Sequence, residues 1–325
     1  AVLVRDRLSP ACLGMQHTRT LRLTMAATML ALAAASERPL LALGATRLRG
    51  GAGTPTHDKV PEKLSQWWER QAVGFRAMQP ARVDADRVKA AALMQKRGLV
   101  NVENAVSLLR TALQRDPENV QLKLELADAL TTVCRIRTNA NSLVIEGTQD
   151  CPEFKKIWGT LGCESLPLAA AARKSMPESL KALAVYADAF LYSSSSQGIV
   201  KQALTGVGKR YIAVAKELYK HPKLDSAVGC AFLGGFYNVA PWPVGSKQKA
   251  AEYLAEGALI APTRRNLYYV GVNAYQTGEY RKAVSFFSRA LAAPPCTDAT
   301  STEHDIADFL LEQSRRGLKL AQDAI

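Results

Sequence analysis

The segment Tyr275–Pro295, with the sequence YQTGEYRKAVSFFSRALAAPP, decides how the fold of this chain is interpreted. It breaks once at Gly278, continues with apolar residues at helical spacing, and stops at Pro294 and Pro295. Glycine after one helical segment and proline after another are typical helix boundaries. The segment therefore predicts a hairpin of two helices. Whether this hairpin is one copy of a repeat bears on function, because repeat arrays usually present binding surfaces.

The hairpin around Gly278 belongs to a helix-pair pattern of about 34 residues, which positions 264–297 match without a gap. In this pattern, small residues lie where the two helices approach closely, and large residues fill the space towards the next pair. The pattern departs at one position, where Ala274 replaces the usual aromatic residue. The matching residues are Leu267, Val270, Gly271, Tyr280, Ala283, Phe287, Ala290 and Pro295.

Two other segments repeat parts of the same pattern. Residues 100–130 supply Ala105, Leu109, Ala112 and Pro117 at the second-helix positions. Residues 224–263 supply Ala251, Ala258 and Pro262 at those positions, after an extended loop with the sequence APWPVGS. These approximate copies favour a repeat array over a lone hairpin.

By these residues the chain resembles divergent tetratricopeptide-repeat proteins. The Trp-Pro-rich insertion before a strong last repeat is also similar to the T-component-like proteins of TRAP transporters and to regulators of microtubule dynamics. The resemblance implies an all-α fold, a right-handed superhelix of antiparallel helix pairs with a C-terminal capping helix. It also implies that six residues serve the packing of the repeats, namely Gly271, Ala283, Phe287, Ala290, Ala105 and Ala112.

Partners of this family usually bind the concave face formed by the first helix of each pair. In the last repeat the resemblance places Arg265, Tyr268, Tyr269, Tyr275 and Gln276 on that face, and in the early repeat it places Gln121 and Asp128 there. A tyrosine-lined groove suits an extended peptide or an apolar ligand with a polar end. The alternative is that two of these tyrosines belong to the core between repeats.

The first expected function is a non-catalytic scaffold that binds a protein or peptide through its concave face. The second is a binding module for a small apolar ligand or lipid, as in T-component-like proteins. The third is an adaptor that associates with microtubules or an organelle membrane through basic residues at helical spacing, including Lys209, Lys216 and Lys220.

Residues 1–54 are predicted to be a targeting leader and linker, mostly disordered. Arg19 and Arg22 precede the mostly apolar run Leu23–Ala35, which is the layout of a secretory signal peptide. A region that contains arginine and few acids is also typical of a mitochondrial or plastid transit peptide. Either interpretation places the protein in the secretory pathway or an organelle. Residues 55–325 are predicted to form the repeat domain, with an irregular insertion at about 132–165 and no transmembrane segment.

Composition and motifs give no support for an enzyme, a metal site or a cofactor. The formal net charge is +13, and residues 1–60 contribute +5 of it from eight Lys/Arg and three Asp/Glu, so the remainder is only mildly basic. This does not favour a nucleic-acid partner. The segment TGVGKR at 205–210 lacks the first glycine and the Ser/Thr of a phosphate-binding loop. Cys151 and Cys163 could form a disulfide in an oxidising compartment, or remain buried thiols.

Overall fold

Helices make up most of the chain that the structure describes. The computed structural model describes residues 82–325, except 148, 199–200, 203–204 and 300. The predicted leader, residues 1–54, lies outside the described residues. Within the described ranges the fold is all-α with no β-strand. The helices are α1 (82–96), α2 (Leu99–Arg115), α3 (Val120–Arg137), α4 (Pro152–Ile157), α5 (Cys163–Ser175), α6 (Leu180–Ser195), α7 (Val207–Tyr219), α8 (Val228–Val239), α9 (Lys247–Ile260), α10 (Arg264–Gln276), α11 (Tyr280–Ala292) and α12 (Ala307–Asp323).

Helices α3 and α6 begin in the same way, because similar short sequences precede them. The turns DPEN (116–119) and MPES (176–179) each end in a residue whose side chain caps the next helix. Asn119 Oδ1 accepts a hydrogen bond from the Leu122 amide at 3.1 Å, and Ser179 Oγ accepts one from the Ala182 amide at 3.2 Å. Such caps satisfy amide groups that the first turn of a helix leaves unpaired. The two helix–turn–helix connections therefore share the same kind of turn and cap.

Each helix from α2 onward packs against its neighbour along the chain, with the short α4 continuing into α5 through a π-helical turn, Trp158–Gly162. Contacts also join α3 to α6, α8 to α10 and α10 to α12, so alternate helices meet as well. Packing of this kind between sequence neighbours is typical of helical repeats. None of the helices in the described ranges is long and apolar enough to span a bilayer.

The residues predicted to serve packing all lie inside the protein. Ala283, Phe287 and Ala290 are fully buried on α11. A side chain on Gly271 would place its Cβ only 2.7 Å from the Phe287 ring, so α10 and α11 can approach closely only because this position is glycine. Ala105 and Ala112 are fully buried on α2 in the same way.

The predicted irregular insertion, about 132–165, is irregular only from Thr138 to Cys151 in the structure. Its glycines read as helix breakers in the sequence, but Gly162 lies within a continuous helical segment. A Cβ there would lie 2.9 Å from the backbone of Tyr192 and Ser193. The glycine therefore permits close packing against α6 and does not end the helix.

The loop 138–147, which follows α3, contacts α10 much later in the chain. Tyr268 Oη on α10 donates a hydrogen bond to the Leu143 carbonyl at 2.9 Å. Gln276 Nε2 donates to the Val144 and Ile145 carbonyls, each at 3.1 Å. Leu143 and Ile145 pack into the same apolar cluster as the residues of α10, α11 and α12. The array is therefore closed by this loop, and a space remains among the helices.

Candidate functional site

The space among the helices is a cavity of about 370 Å³. Residues of α3, α6, α7, α8 and α10 line it, together with the loop 138–147 and the 3₁₀ turn Thr302–Ile306. Cavities that hold small molecules usually measure about 300–1,000 Å³ and have mostly apolar walls. The apolar lining includes Leu143, Trp158, Leu191, Ile212, Val239 and Ile306. The cavity is therefore of the right size and composition for a small ligand.

One wall of the cavity is aromatic. The Tyr211 ring of α7 stacks on Phe232 and Phe236 of α8, with ring centroids 5.7 and 5.3 Å apart. The two phenylalanines lie four residues apart and so share one face of α8. Burial raises the pKa of Tyr211, so its hydroxyl stays neutral. The wall offers flat apolar surface with one neutral polar atom.

Small residues keep the cavity open. Ala231 and Gly235, four residues apart on α8, both line it. A Cβ added to Gly235 would meet nothing within 4 Å, whereas a Cβ on the neighbouring Gly234 would lie 2.5 Å from Leu254. Gly234 thus serves close packing between α8 and α9, and Gly235 leaves unfilled space. This space exists because α8 carries small residues where a packed core would carry large ones.

A first buried charge cluster lies at the cavity and bridges distant parts of the chain. Arg135 of α3 donates to Asp305 Oδ2 at 2.7 Å and also pairs with Asp188 of α6. Arg97 pairs with Asp305 at 3.3 Å. Because only one oxygen of Asp188 takes part, the other, Oδ1, has no hydrogen-bond partner among the described residues. The cavity therefore contains a carboxylate oxygen able to accept a hydrogen bond.

A second buried charge cluster is fully satisfied within the protein. Arg265 Nη1 lies 3.3 Å from Asp225 Oδ1, and its Nη2 donates to the Asp225 carbonyl at 2.6 Å. Ser301 Oγ donates to Asp225 Oδ1 at 2.7 Å, and Arg265 also donates to Thr302 Oγ1 at 3.1 Å. The cluster ties α10 to the segment before α8 and to the 3₁₀ turn, so its role is to hold the fold together.

The two clusters shift their carboxyl groups in opposite directions. Burial raises the pKa of Asp188, and the attraction of Arg135 does not fully offset it. Burial alone would also raise the pKa of Asp225. There, however, Arg265 and the hydrogen bonds from Thr302 and Ser301 outweigh burial and lower the pKa. Asp225 is thus the better stabilised anion, while Asp188 has unused capacity to accept a hydrogen bond.

Replacement of Asp225 by asparagine is expected to lower the free energy of unfolding by about 3 kcal/mol at pH 7. The folded pKa of Asp225 lies below the unfolded value of about 3.9, so its contribution is complete above that value and lost as the pH falls through the folded pKa. Urea unfolding of both proteins should show a constant difference from pH 7 to about 5 and a shrinking one below about pH 4. A difference that grows on acidification would contradict this assignment.

The loop after α8 also lines the cavity and is open to solvent. Pro241, Trp242, Pro243 and Val244 belong to the lining. Trp242 is 89% exposed and Val244 is 49% exposed, in contrast with the buried lining residues Trp158 and Tyr269. The exposed loop therefore marks the rim of the cavity.

The residues predicted to contact a partner fall into three groups in the structure. Arg265 and Tyr269 are buried and line the cavity. Tyr268 and Gln276 hold the loop 138–147, as described above, and Tyr275 is half-buried with its ring edge against Tyr280. Gln121 and Asp128 of α3 instead contact their own surroundings. Gln121 donates to Glu125 at 2.8 Å, and Asp128 pairs with Lys181 at 3.0 Å.

Cys151 and Cys163 are both free thiols in the structure. Cys163 is exposed, and its Sγ lies 3.6 Å from Ser193 Oγ. The disulfide that the sequence allowed is therefore not formed here.

Sequence reasoning missed the residues that shape the cavity, although some carried a signal. Asp188 is the one acidic residue in the apolar run ALAVYADAFLY, and a lone acid in such a run is typical of a buried polar contact. Phe232 and Phe236 alternate with Ala231 and Gly235 on α8, so one face carries both large and small residues. Nothing local indicates that the face of α8 borders empty space.

No protein-family model matches this chain, and no curated protein is significantly similar to it.

Proposed function

We propose that this protein binds a small, mostly apolar molecule in its internal cavity. The observation that carries the proposal is the apolar, aromatic-walled cavity, which Ala231 and Gly235 leave unfilled. Protein interiors are normally close-packed, and an unfilled cavity lowers stability. A bound ligand would fill this space and offset that cost. The resemblance to T-component-like proteins, drawn from the sequence, agrees with this function.

The peptide-binding scaffold expected from the sequence stays a prediction with less support. A peptide in the concave groove would need Tyr268 and Gln276 to be accessible, but both are engaged by the loop 138–147. We also propose that the helix pairs are wound as a right-handed superhelix of the tetratricopeptide type. The packing of sequence neighbours and the matching turns before α3 and α6 support this arrangement.

The polar atoms of the cavity indicate what kind of ligand fits. Asp188 Oδ1 can accept a hydrogen bond, as described above. Ser142 also borders the cavity, but its Oγ is inaccessible to solvent and therefore to a ligand. A ligand group that donates to the Asp188 carboxylate gains affinity, because hydrogen bonds to a charged acceptor are stronger than those between neutral groups. The ligand we propose is therefore an apolar molecule with one hydroxyl, amide or amine that donates a hydrogen bond.

Replacing Gly235 with phenylalanine is expected to fill the cavity and weaken ligand binding by at least about tenfold, because the new ring occupies the space the ligand needs. The probe is N-phenyl-1-naphthylamine, an apolar dye with one N–H donor whose fluorescence rises in apolar surroundings. The measurement is a fluorescence titration of the full chain with this dye. Organic extraction of the purified parent chain followed by mass spectrometry identifies any natural ligand.

Gly235→Ala provides the matched control, since its single methyl group meets nothing within 4 Å and leaves most of the cavity open. Alanine is also favoured over glycine inside a helix by about 1 kcal/mol, so this variant should be at least as stable as the parent. Dye binding should survive in Gly235→Ala and be lost in Gly235→Phe. Equal binding by the folded phenylalanine variant and the parent would exclude this cavity as the site.

A further inference from the structure

The rim of the cavity exposes an apolar loop. Trp242 is 89% exposed, and Val244 and the two flanking prolines are exposed beside it. A tryptophan ring is among the largest apolar surfaces a residue can offer, and folded proteins usually bury most of it. The same loop lines the cavity, so its exposed apolar surface lies where a ligand would enter.

The two chain segments that carry the rim loop and Lys209 are basic and contain no acidic residue. No Asp or Glu occurs between Asp188 and Glu217, or between Asp225 and Glu252. The basic residues in these two stretches are Lys201, Lys209, Arg210, Lys216, Lys247 and Lys249. Lys209 itself lines the cavity, is exposed and forms no salt bridge within the described residues. The lining carboxylate Asp150 pairs with Lys155 at 3.0 Å, so it does not neutralise Lys209.

We propose that this rim docks on an anionic lipid surface. Trp242 and Val244 enter the interfacial region, where tryptophan is the preferred residue, and Lys209 faces the lipid head groups. The inference rests on the proposed function and deepens it. Docking places the mouth of the cavity against the bilayer, so an apolar ligand passes between the cavity and the bilayer without crossing water. An apolar tip beside uncompensated positive charge is the combination that favours an anionic membrane surface over a neutral one.

The test is co-sedimentation of the full chain with vesicles of equal parts phosphatidylserine and phosphatidylcholine, and with vesicles of phosphatidylcholine alone. The parent chain should bind the anionic vesicles and lose binding as salt is added. Trp242→Ala should weaken this binding by about tenfold. Lys209→Gln should weaken it by about fivefold, the loss expected for one cation near an anionic surface.

The matched control is Leu259→Ala, which removes an 84% exposed apolar side chain on α9 that does not line the cavity. This variant should bind vesicles as the parent does. Equal binding by Trp242→Ala and Leu259→Ala would overturn the proposal, and it is the result expected if another part of the chain binds the vesicles. Failure of the parent chain to bind anionic vesicles would also overturn the docking proposal, and it would favour a protein partner at the rim.

Dye titration without vesicles separates this proposal from the proposed function. A parent chain that binds the dye but not vesicles refutes docking alone. A chain that binds vesicles through Trp242 but does not bind the dye refutes ligand binding in the cavity and still supports docking.

Discussion

Arg265→Met is expected to lower the free energy of unfolding by about 3–5 kcal/mol, because it leaves the buried Asp225 carboxylate without its cation. The pair is inaccessible to solvent, with side chains 5% and 8% exposed, so water cannot replace the lost interaction. Methionine fills similar volume without charge, so the loss reports the missing pair more than a cavity. The measurement is urea unfolding followed by circular dichroism.

The control for Arg265→Met is Arg281→Met on α11, where the arginine is exposed. Its effect should stay within about 0.5 kcal/mol. Equal losses in the two variants would show that the Arg265–Asp225 pair does not stabilise the fold. The result also bears on the sequence-based prediction of Arg265 as a partner contact. A variant that loses binding through unfolding cannot show that the residue touches a partner.

Phe287→Ala is expected to destabilise the protein by about 3–5 kcal/mol through the cavity it leaves. The ring is fully buried and lies between Gly271 of α10 and Gly317 of α12, since a Cβ on either glycine would come within 2.7 Å of it. It also packs against Tyr268, with ring centroids 5.9 Å apart. The two glycines have no side chains that could move into the gap when the ring is removed. Relaxation should therefore recover little of the lost stability.

Phe286→Ala, one residue earlier, is the matched control. The Phe286 ring is only half-buried, and the Arg289 guanidinium lies over it at 4.8 Å from the ring centroid. Its removal should cost clearly less in the same urea titration. Equal decreases in the free energy of unfolding for Phe286→Ala and Phe287→Ala would mean that packing of the Phe287 ring between the two glycines adds no stability.

Features that depend on residues close together in the chain could be predicted from the sequence alone. The role of Phe287 follows from spacing, because Ala283, Phe287 and Ala290 recur on one face of a helix and small residues precede them on the partner helix. The caps at Asn119 and Ser179 are likewise local, since each involves residues only three positions apart. The helical class of the described part of the chain was predictable for the same reason.

The cavity was not predictable from such patterns, although the sequence-based alternatives included a small apolar ligand. Phe232 and Phe236 read as ordinary core residues, and only the packed structure shows that they border unfilled space beside Gly235. Whether a helix face meets another helix, solvent or a void depends on elements far away in sequence. Asp188, for example, meets a cation contributed by α3.

By itself, the sequence determined most of the helices and the residues that pack neighbouring helices, because these depend on contacts within a few turns. It did not predict the helical segments between 152 and 165, which were expected to be irregular. The tertiary structure alone decided which residues line the candidate site. The hydrogen bond from Tyr268 to Leu143 spans 125 positions of the chain, and it places a loop over the face of α10 that the sequence predicted to be open to a partner. No periodicity encodes that contact, because it forms only when the whole array has closed. The closing loop covers Tyr268, and the small residues of α8 leave a cavity inside.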